Sequence, residues 1–408
     1  MTFEYNKTTL PNGIRVVSEY MPHVRSVTLG AWINTGSRDE TAESSGICHF
    51  MEHLVFKGTE KRSTVQIAES LESVGGNLNA FTGKEVTCYY AHVLDEHTEL
   101  AADVLSDLIG NAVLKEDDII KEKQVVLEEI NSLEDTPDEL IHDLFQQNVF
   151  TGHSLEYSIL GTKETLQNFD KSALSDFRDK YYSSKNTVVA AAGNIQHNEL
   201  VAIVEKYFTL SPGICNKREN GELVQKPRET EVSRNISQAH ICIGNTSLAY
   251  SDSRKYGLLL LHTILGGGMS SRLFQNIREK YGVAYSIYSF VDFFIDTGLF
   301  GVYVAVEKSN IEKSIALIRS EFEIASTKPV GNQELERFKS QLKGNIMLGL
   351  ENTYSRMNRL AKMELNLNLY VTLDEVLEAI DTVKPEDIAQ IAHELLSGKL
   401  FMSAIMPE

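Results

Sequence analysis

Polar and apolar positions in this chain fall into blocks of helical and strand-like spacing, and the order of the blocks occurs twice. Residues 67–109 (IAESLESVGGNLNAFTGKEVTCYYAHVLDEHTELAADVLSDLI) read as a helix, a glycine turn, two strand-like runs and a second helix. Residues 274–319 (FQNIREKYGVAYSIYSFVDFFIDTGLFGVYVAVEKSNIEKSIALIR) give the same order. The segments that follow also match. Residues 122–136 parallel 339–353, and FDKSALSDFRDKYY parallels IDTVKPEDIAQIAH. Repetition on this scale marks a duplicated folding unit. The polar stretch 211–235 lies between the copies and reads as a connection. The expected organisation is a first domain over 1–212, a linker over 213–230 and a homologous second domain over 231–408. Strands joined by short turns and alternating with long helices predict an α+β fold. Each domain is expected to be a mostly antiparallel sheet packed by helices.

One apolar block carries polar residues that burial should exclude. In SSGICHFMEHLVFKGTEKRS (44–63), apolar side chains from Ile47 to Phe56 surround His49, Glu52 and His53 on nearly every side. A helix of that pattern is buried, and a buried ionised glutamate without a partner is costly. A nearby dication removes the objection. Positions i and i+4 share a helix face and i+3 lies beside them, so His49 and His53 point the same way with Glu52 between them. Two imidazoles on adjacent turns can bind one Zn²⁺ at about 2.0–2.1 Å, and H-x-x-E-H matches a known zinc signature. The second copy serves as a control. It has Leu258, Leu261 and His262 at the corresponding places, so the frame does not need the polar cluster.

A catalytic zinc site needs a third protein ligand and an open position. The helix read in EDDIIKEKQVVLEEINSLED places Ile119, Glu122, Val126, Glu129, Ile130 and Leu133 in one stripe. Glu128 falls on the opposite, wholly polar face. Glu129 is the better ligand candidate, with Glu122 behind it as a supporting carboxylate. The second copy has Ile346 where the first has Glu129.

Composition narrows the partners. The 408 residues are 42% hydrophobic and carry a formal net charge of −18. That balance lacks the basic footprint of a nucleic-acid surface; an acidic excess commonly serves solubility alone, and its sharper reading is attraction of basic peptides. No apolar run reaches the roughly 18 residues that span a membrane, and the start MTFEYNKTTLPNGIRVV does not read as a signal peptide. Cys48, Cys88, Cys215 and Cys242 lack CxxC spacing and read as free thiols of a reducing compartment, which predicts a cytoplasmic protein. The glycines before MSSRLF lack the phosphate-loop pattern and are read as a helix end.

HFMEH followed by Glu129, with Glu122 seven residues before it, resembles the inverted-motif zinc peptidases of the pitrilysin, insulysin and mitochondrial processing peptidase family. The resemblance covers nearly the whole chain, and at this length it is to the short, two-domain bacterial branch. It implies a metalloendopeptidase with one Zn²⁺ per chain, held by His49, His53 and Glu129. It implies that Glu52 is the general base that activates water and that Glu122 supports the site. It implies that Asn79, Ala80, Phe81 and Thr82 form a strand to which a substrate peptide adds. It implies that Arg278 and Tyr285 grip substrate carbonyls and the developing oxyanion. The expected substrates are peptides or unfolded segments enclosed in a clamshell chamber. The expected assembly is a homodimer whose active site is shared between chains, because longer relatives carry both halves of the clamshell in one chain. Two other readings of the resemblance are the catalytic subunit of a heterodimeric processing peptidase and a non-catalytic core subunit. The complete ligand set with Glu52 argues against the second of these.

Overall fold

A computed structural model describes residues 4–218 and 226–408. Two sheets organise the chain. The first contains β1 (Glu4–Thr9), β2 (Arg15–Tyr20), β3 (Ser26–Ile33), β4 (Asn77–Thr82), β5 (Thr87–Leu94) and β6 (Thr187–Gly193), in the order β1-β2-β6-β3-β5-β4. The second contains β7 (Glu229–Arg234), β8 (Ala239–Ser247), β9 (Ala284–Phe293), β10 (Gly298–Val306) and β11 (Phe401–Pro407), in the order β7-β11-β8-β10-β9. Pairings are antiparallel except β2 with β6 and β7 with β11. The α+β expectation holds, and so does the element order read from each copy. The segment after Gly268 does continue the match, but its helix Phe274–Lys280 is a π-helix.

Strand alternation explains why β3 is buried on both faces. Val27, Leu29, Ala31 and Ile33 enter the main core of the first unit. Thr28, Gly30 and Trp32 face the helix Thr353–Leu367. The Thr28 and Thr353 hydroxyls are 2.7 Å apart, and Trp32 Nε1 donates to Met357 Sδ at 3.1 Å. A Cβ on Gly30 would stand 2.7 Å from that sulfur, so the glycine admits Met357 to the sheet.

That helix comes from the second half of the sequence. The compact units therefore differ from the expected continuous domains 1–212 and 231–408. One unit is Met1–Asn131, Tyr157–Glu219 and Gly349–Tyr370; the other is Ser132–Glu156, Asn220–Leu348 and Val371–Glu408. The helix Pro137–Val149 of the first half belongs to the second unit. There Ile141, Phe145 and Val149 pack with Cys242, Tyr303 and Ile405, and Asn148 Nδ2 donates to the Met402 carbonyl at 3.0 Å. The physical reason is that each sheet has a second apolar face, and the helix following the long helix of the other copy fills it.

The expected linker 213–230 is also revised. Residues 219–225 lie outside the described residues, and β7 already begins at Glu229. Arg218 is no loose tether, since its guanidinium makes a bidentate pair with Asp39 at 2.9 and 2.6 Å.

Candidate metal centre

The helix Ile47–Val55 is set by its N-terminus. Gly46 caps it at φ +93°, a left-handed conformation suited to glycine, and a Cβ there would meet the Leu160 carbonyl oxygen at 2.7 Å. The buried carboxyl group of Glu40 accepts the Gly46 and Cys48 N–H groups at 2.7 and 2.8 Å, supplying the partners that the first turn lacks. Ile47, Cys48, Phe50, Met51, Leu54 and Val55 are buried. Their packing turns His49, Glu52 and His53 toward the helix Glu116–Glu134 and β4.

On Glu116–Glu134 the expected stripe is realised. Ile119, Glu122, Val126 and Ile130 are buried, Glu129 is half-buried and Glu128 is exposed. Glu129 Oε2 lies 3.7 Å from His49 Nε2 and 3.6 Å from His53 Nε2. The donor atoms of these three residues all fall within 4.8 Å of one another. Tetrahedral coordination with bonds of about 2.0–2.1 Å sets donors roughly 3.3–3.4 Å apart, so the two histidine–Glu129 separations are within a few tenths of an ångström of what a zinc ion requires. Burial, reinforced by the neighbouring His53, pushes the His49 imidazole down to about 4. It is therefore neutral near pH 7, the form that ligates metal. Among the described residues no other set of three such donors lies this close.

Glu122 stands behind the donors. Its Oε2 is 3.1 Å from His53 Nδ1, which leaves His53 Nε2 directed at Glu129. Its other oxygen lies 2.6 Å from Lys57 Nζ. Glu52 is not one of the close donor trio. Thr82 Oγ1 donates to its Oε2 at 2.5 Å. Burial raises the Glu52 pKa, while the Thr82 hydrogen bond and His53 oppose the rise. Lys57, Glu40 and the Thr82–Glu52 bond were not identified from sequence. Only Lys57 had a signal, as it follows His53 by four positions.

The other expected residues form two groups. Asn79, Ala80, Phe81 and Thr82 lie on β4, the edge strand of the first sheet. Leu78 and Ala80 pack on the core, whereas Phe81 sits edge-on to Trp32 with ring centroids 5.4 Å apart. Asn79 is exposed, its Oδ1 accepting from the Ala80 N–H at 2.8 Å. Arg278 and Tyr285 belong to the second unit. The π-helix and a left-handed turn at Gly282 (φ +62°) bring the guanidinium over the Tyr285 ring, 5.5 Å from its centroid. Tyr285 is 75% exposed. The glycines after the helix Lys255–Gly266 do end it, with Gly267 as the cap. All four cysteines are free thiols.

A duplicated α+β fold whose first copy sets two histidines of one helix against a carboxylate of another defines a two-domain class with a candidate metal centre in its first half. Comparison with known proteins places the chain within that class. Residues 15–163 match the family described as insulinase (peptidase family M16), and residues 168–342 match the peptidase M16 inactive domain. The chain is 41% identical to the uncharacterized zinc protease YmxG of Bacillus subtilis, over 98% of this chain and 97% of the relative. It is 40% identical to an uncharacterized zinc protease of Streptomyces coelicolor, over 98% and 89%. Two crystal structures share the fold. One is a protease from Helicobacter pylori, with TM-score 0.91, 21% identity and full coverage of both chains. The other is a peptidase M16 inactive domain from Pseudomonas fluorescens, with TM-score 0.92, 17% identity and coverage of 99% and 98%. The chain belongs to the insulinase family of peptidases, in its two-domain bacterial branch. Among the described residues no helix is long and apolar enough to cross a membrane.

Proposed function

We propose that this chain is a zinc metalloendopeptidase that hydrolyses peptides and unfolded polypeptide segments. The observation that carries the reading is Glu52 standing on the same helix as two histidine donors, outside the close trio completed by Glu129. One zinc ion per chain, held by His49, His53 and Glu129, would supply polarisation of the scissile carbonyl and acidification of water. Glu52 takes the proton of the attacking water and passes it to the leaving amine. Glu122 holds the His53 ring by Nδ1. The unpaired edge of β4 takes the substrate as an added strand through its backbone, so main-chain bonds give affinity with little demand on sequence.

Arg278 and Tyr285 grip substrate carbonyls and stabilise the developing oxyanion. The working form is a homodimer closed around the substrate, with Arg278 and Tyr285 of one copy serving the metal centre of the other. The net charge of −18 favours segments with basic residues near the cut. The deciding experiment is purification of the unpartnered protein with metal analysis and a mixed-peptide assay. Glu52→Gln is expected to retain zinc and lose at least about a hundred-fold in turnover. Unchanged turnover in that variant would overturn the reading.

A further inference from the structure

The Glu52 carboxylate has one side-chain hydrogen-bond partner among the described residues, the Thr82 hydroxyl at 2.5 Å. That hydroxyl is held in place by the fold. Thr82 is the last residue of β4 and pairs with Thr87 of β5. Its side chain follows Leu78 and Ala80 on the face that packs toward the helix Ile47–Val55. A β-branched side chain in a strand has restricted χ1, so its hydroxyl direction is largely fixed.

The turn beyond it is clamped. Gly83 N–H donates to the Val86 carbonyl at 2.8 Å, Arg38 N–H to the Lys84 carbonyl at 2.8 Å, and Arg218 to the Glu85 carbonyl. A Cβ on Gly36 would lie 2.3 Å from the Gly83 oxygen, which shows how closely the neighbouring backbone approaches this turn.

We infer that Thr82 is a positioning residue for Glu52, setting the plane of its carboxylate by occupying Oε2 and leaving Oε1 to exchange the proton. The inference rests on the peptidase reading for its kinetic consequence, but the hydrogen bond itself does not. A threonine at this place does two jobs through different atoms. Its backbone lies on the strand offered to a peptide, and its side chain serves the base behind that strand. A hydroxyl is suited to the second task because it adds no charge beside the donor trio. It also stays a donor throughout the pH range in which a carboxylate accepts. A hydrogen bond to a charged group in a site shielded from water is among the stronger ones, so its removal has a measurable cost.

The test compares Thr82→Val, which keeps the shape and removes the hydroxyl, with Thr82→Ser, which keeps the hydroxyl. Zinc-loaded, full-length protein is used throughout. Thr82→Val is expected to lower kcat by about ten- to a hundred-fold. Its KM and its zinc affinity, measured by chelator competition, should stay within about twofold of the parent, and Thr82→Ser should restore most of kcat.

An independent readout is the infrared carboxylate band that disappears in Glu52→Gln. That band is expected to shift in Thr82→Val and to hold its place in Thr82→Ser. An unmoved band in Thr82→Val, a loss confined to KM, or a serine variant no better than valine overturns the assignment. If the valine variant misfolds, Thr82→Ala read against Thr82→Ser carries the same contrast. A parent protein that cleaves no peptide would sink the peptidase reading, and the band shift would still decide the Thr82–Glu52 contact.

Discussion

Glu122 Oε2 lies 3.1 Å from His53 Nδ1, on the side of the ring opposite the nitrogen that faces Glu129. This contact fixes both the rotation of the imidazole and the nitrogen available to a metal. Replacing a carboxylate in this role typically lowers metal affinity by about 10–100-fold. Glu122→Ala is therefore expected to weaken zinc binding by that amount in a chelator competition. His53→Ala and Glu129→Ala should each weaken it further. A Glu122→Ala protein with parental affinity would contradict the supporting role.

Zinc should also act as a stabilising ligand. A group that binds only the folded state raises its stability by RT ln(1 + [L]/Kd). The melting temperature of metal-stripped protein is expected to rise with added zinc, and the rise should vanish in Glu129→Ala. Glu52→Gln should keep it, since Glu52 is outside the donor trio. A zinc response surviving in Glu129→Ala would point to a different ligand set.

The shared-site dimer can be tested by mixing two inactive variants. Glu52→Gln is prepared alone, and Arg278→Ala is combined with Tyr285→Phe in a second preparation. Each should be nearly inactive. In a mixed dimer with trans sites, one intact Glu52 meets one intact Arg278 and Tyr285, and activity returns on subunit exchange. If both pieces act within one chain, no mixed dimer contains a complete site. Absence of recovery after demonstrated exchange would rule out sharing.

Glu40 gives a pH prediction. Burial pushes its carboxyl up to about 8, against the lowering effect of the Cys48 and Gly46 N–H groups. The unfolded chain returns it to its ordinary value of 4.5. A raised acid is protonated more readily in the folded state. Its stabilising contribution is thus complete below about 4.5 and declines as pH rises toward about 8. Urea midpoints of metal-free protein should fall from pH 6 to pH 9, and Glu40→Gln should flatten that fall. An equal slope in both proteins would show that Glu40 does not titrate in this window.

Gly46→Ala tests the entry to the metal helix. The position combines φ +93° with backbone atoms 2.7 and 2.8 Å from a new Cβ. Strain and overpacking each cost about 1–3 kcal/mol, so a loss of roughly 2–6 kcal/mol is expected by denaturation. The affected helix carries both histidines, and zinc affinity should fall with stability.

The close approach of the three candidate donors was legible in sequence because its logic is local. His49 and His53 are related by helical spacing, and Glu129 by its place in an apolar stripe of one helix. Glu122 was legible for the same reason. The Thr82–Glu52 bond was not, because it depends on how β4 lies against a helix, which no periodicity records. Arg278 and Tyr285 were matched by resemblance alone. Their approach requires seven residues of π-helix, and hydropathy does not separate that winding from an α-helix. The exchange of Pro137–Val149 and Thr353–Leu367 was hidden for a related reason. An amphipathic helix advertises an apolar face and not the sheet that will receive it.

That exchange makes the protein a natural split pair. Cutting the chain between residues 218 and 226 would not liberate two independent domains. The front fragment would retain Pro137–Val149, whose sheet lies in the rear fragment, and the rear fragment would retain Thr353–Leu367, whose sheet lies in the front. Each fragment would expose one bare sheet face and one stray helix, and each would hold the cover that the other lacks. Co-expressed halves should find each other as obligate complements. Either half made alone should behave as an aggregation-prone remnant, with Trp32 or Tyr303 stripped of its covering layer.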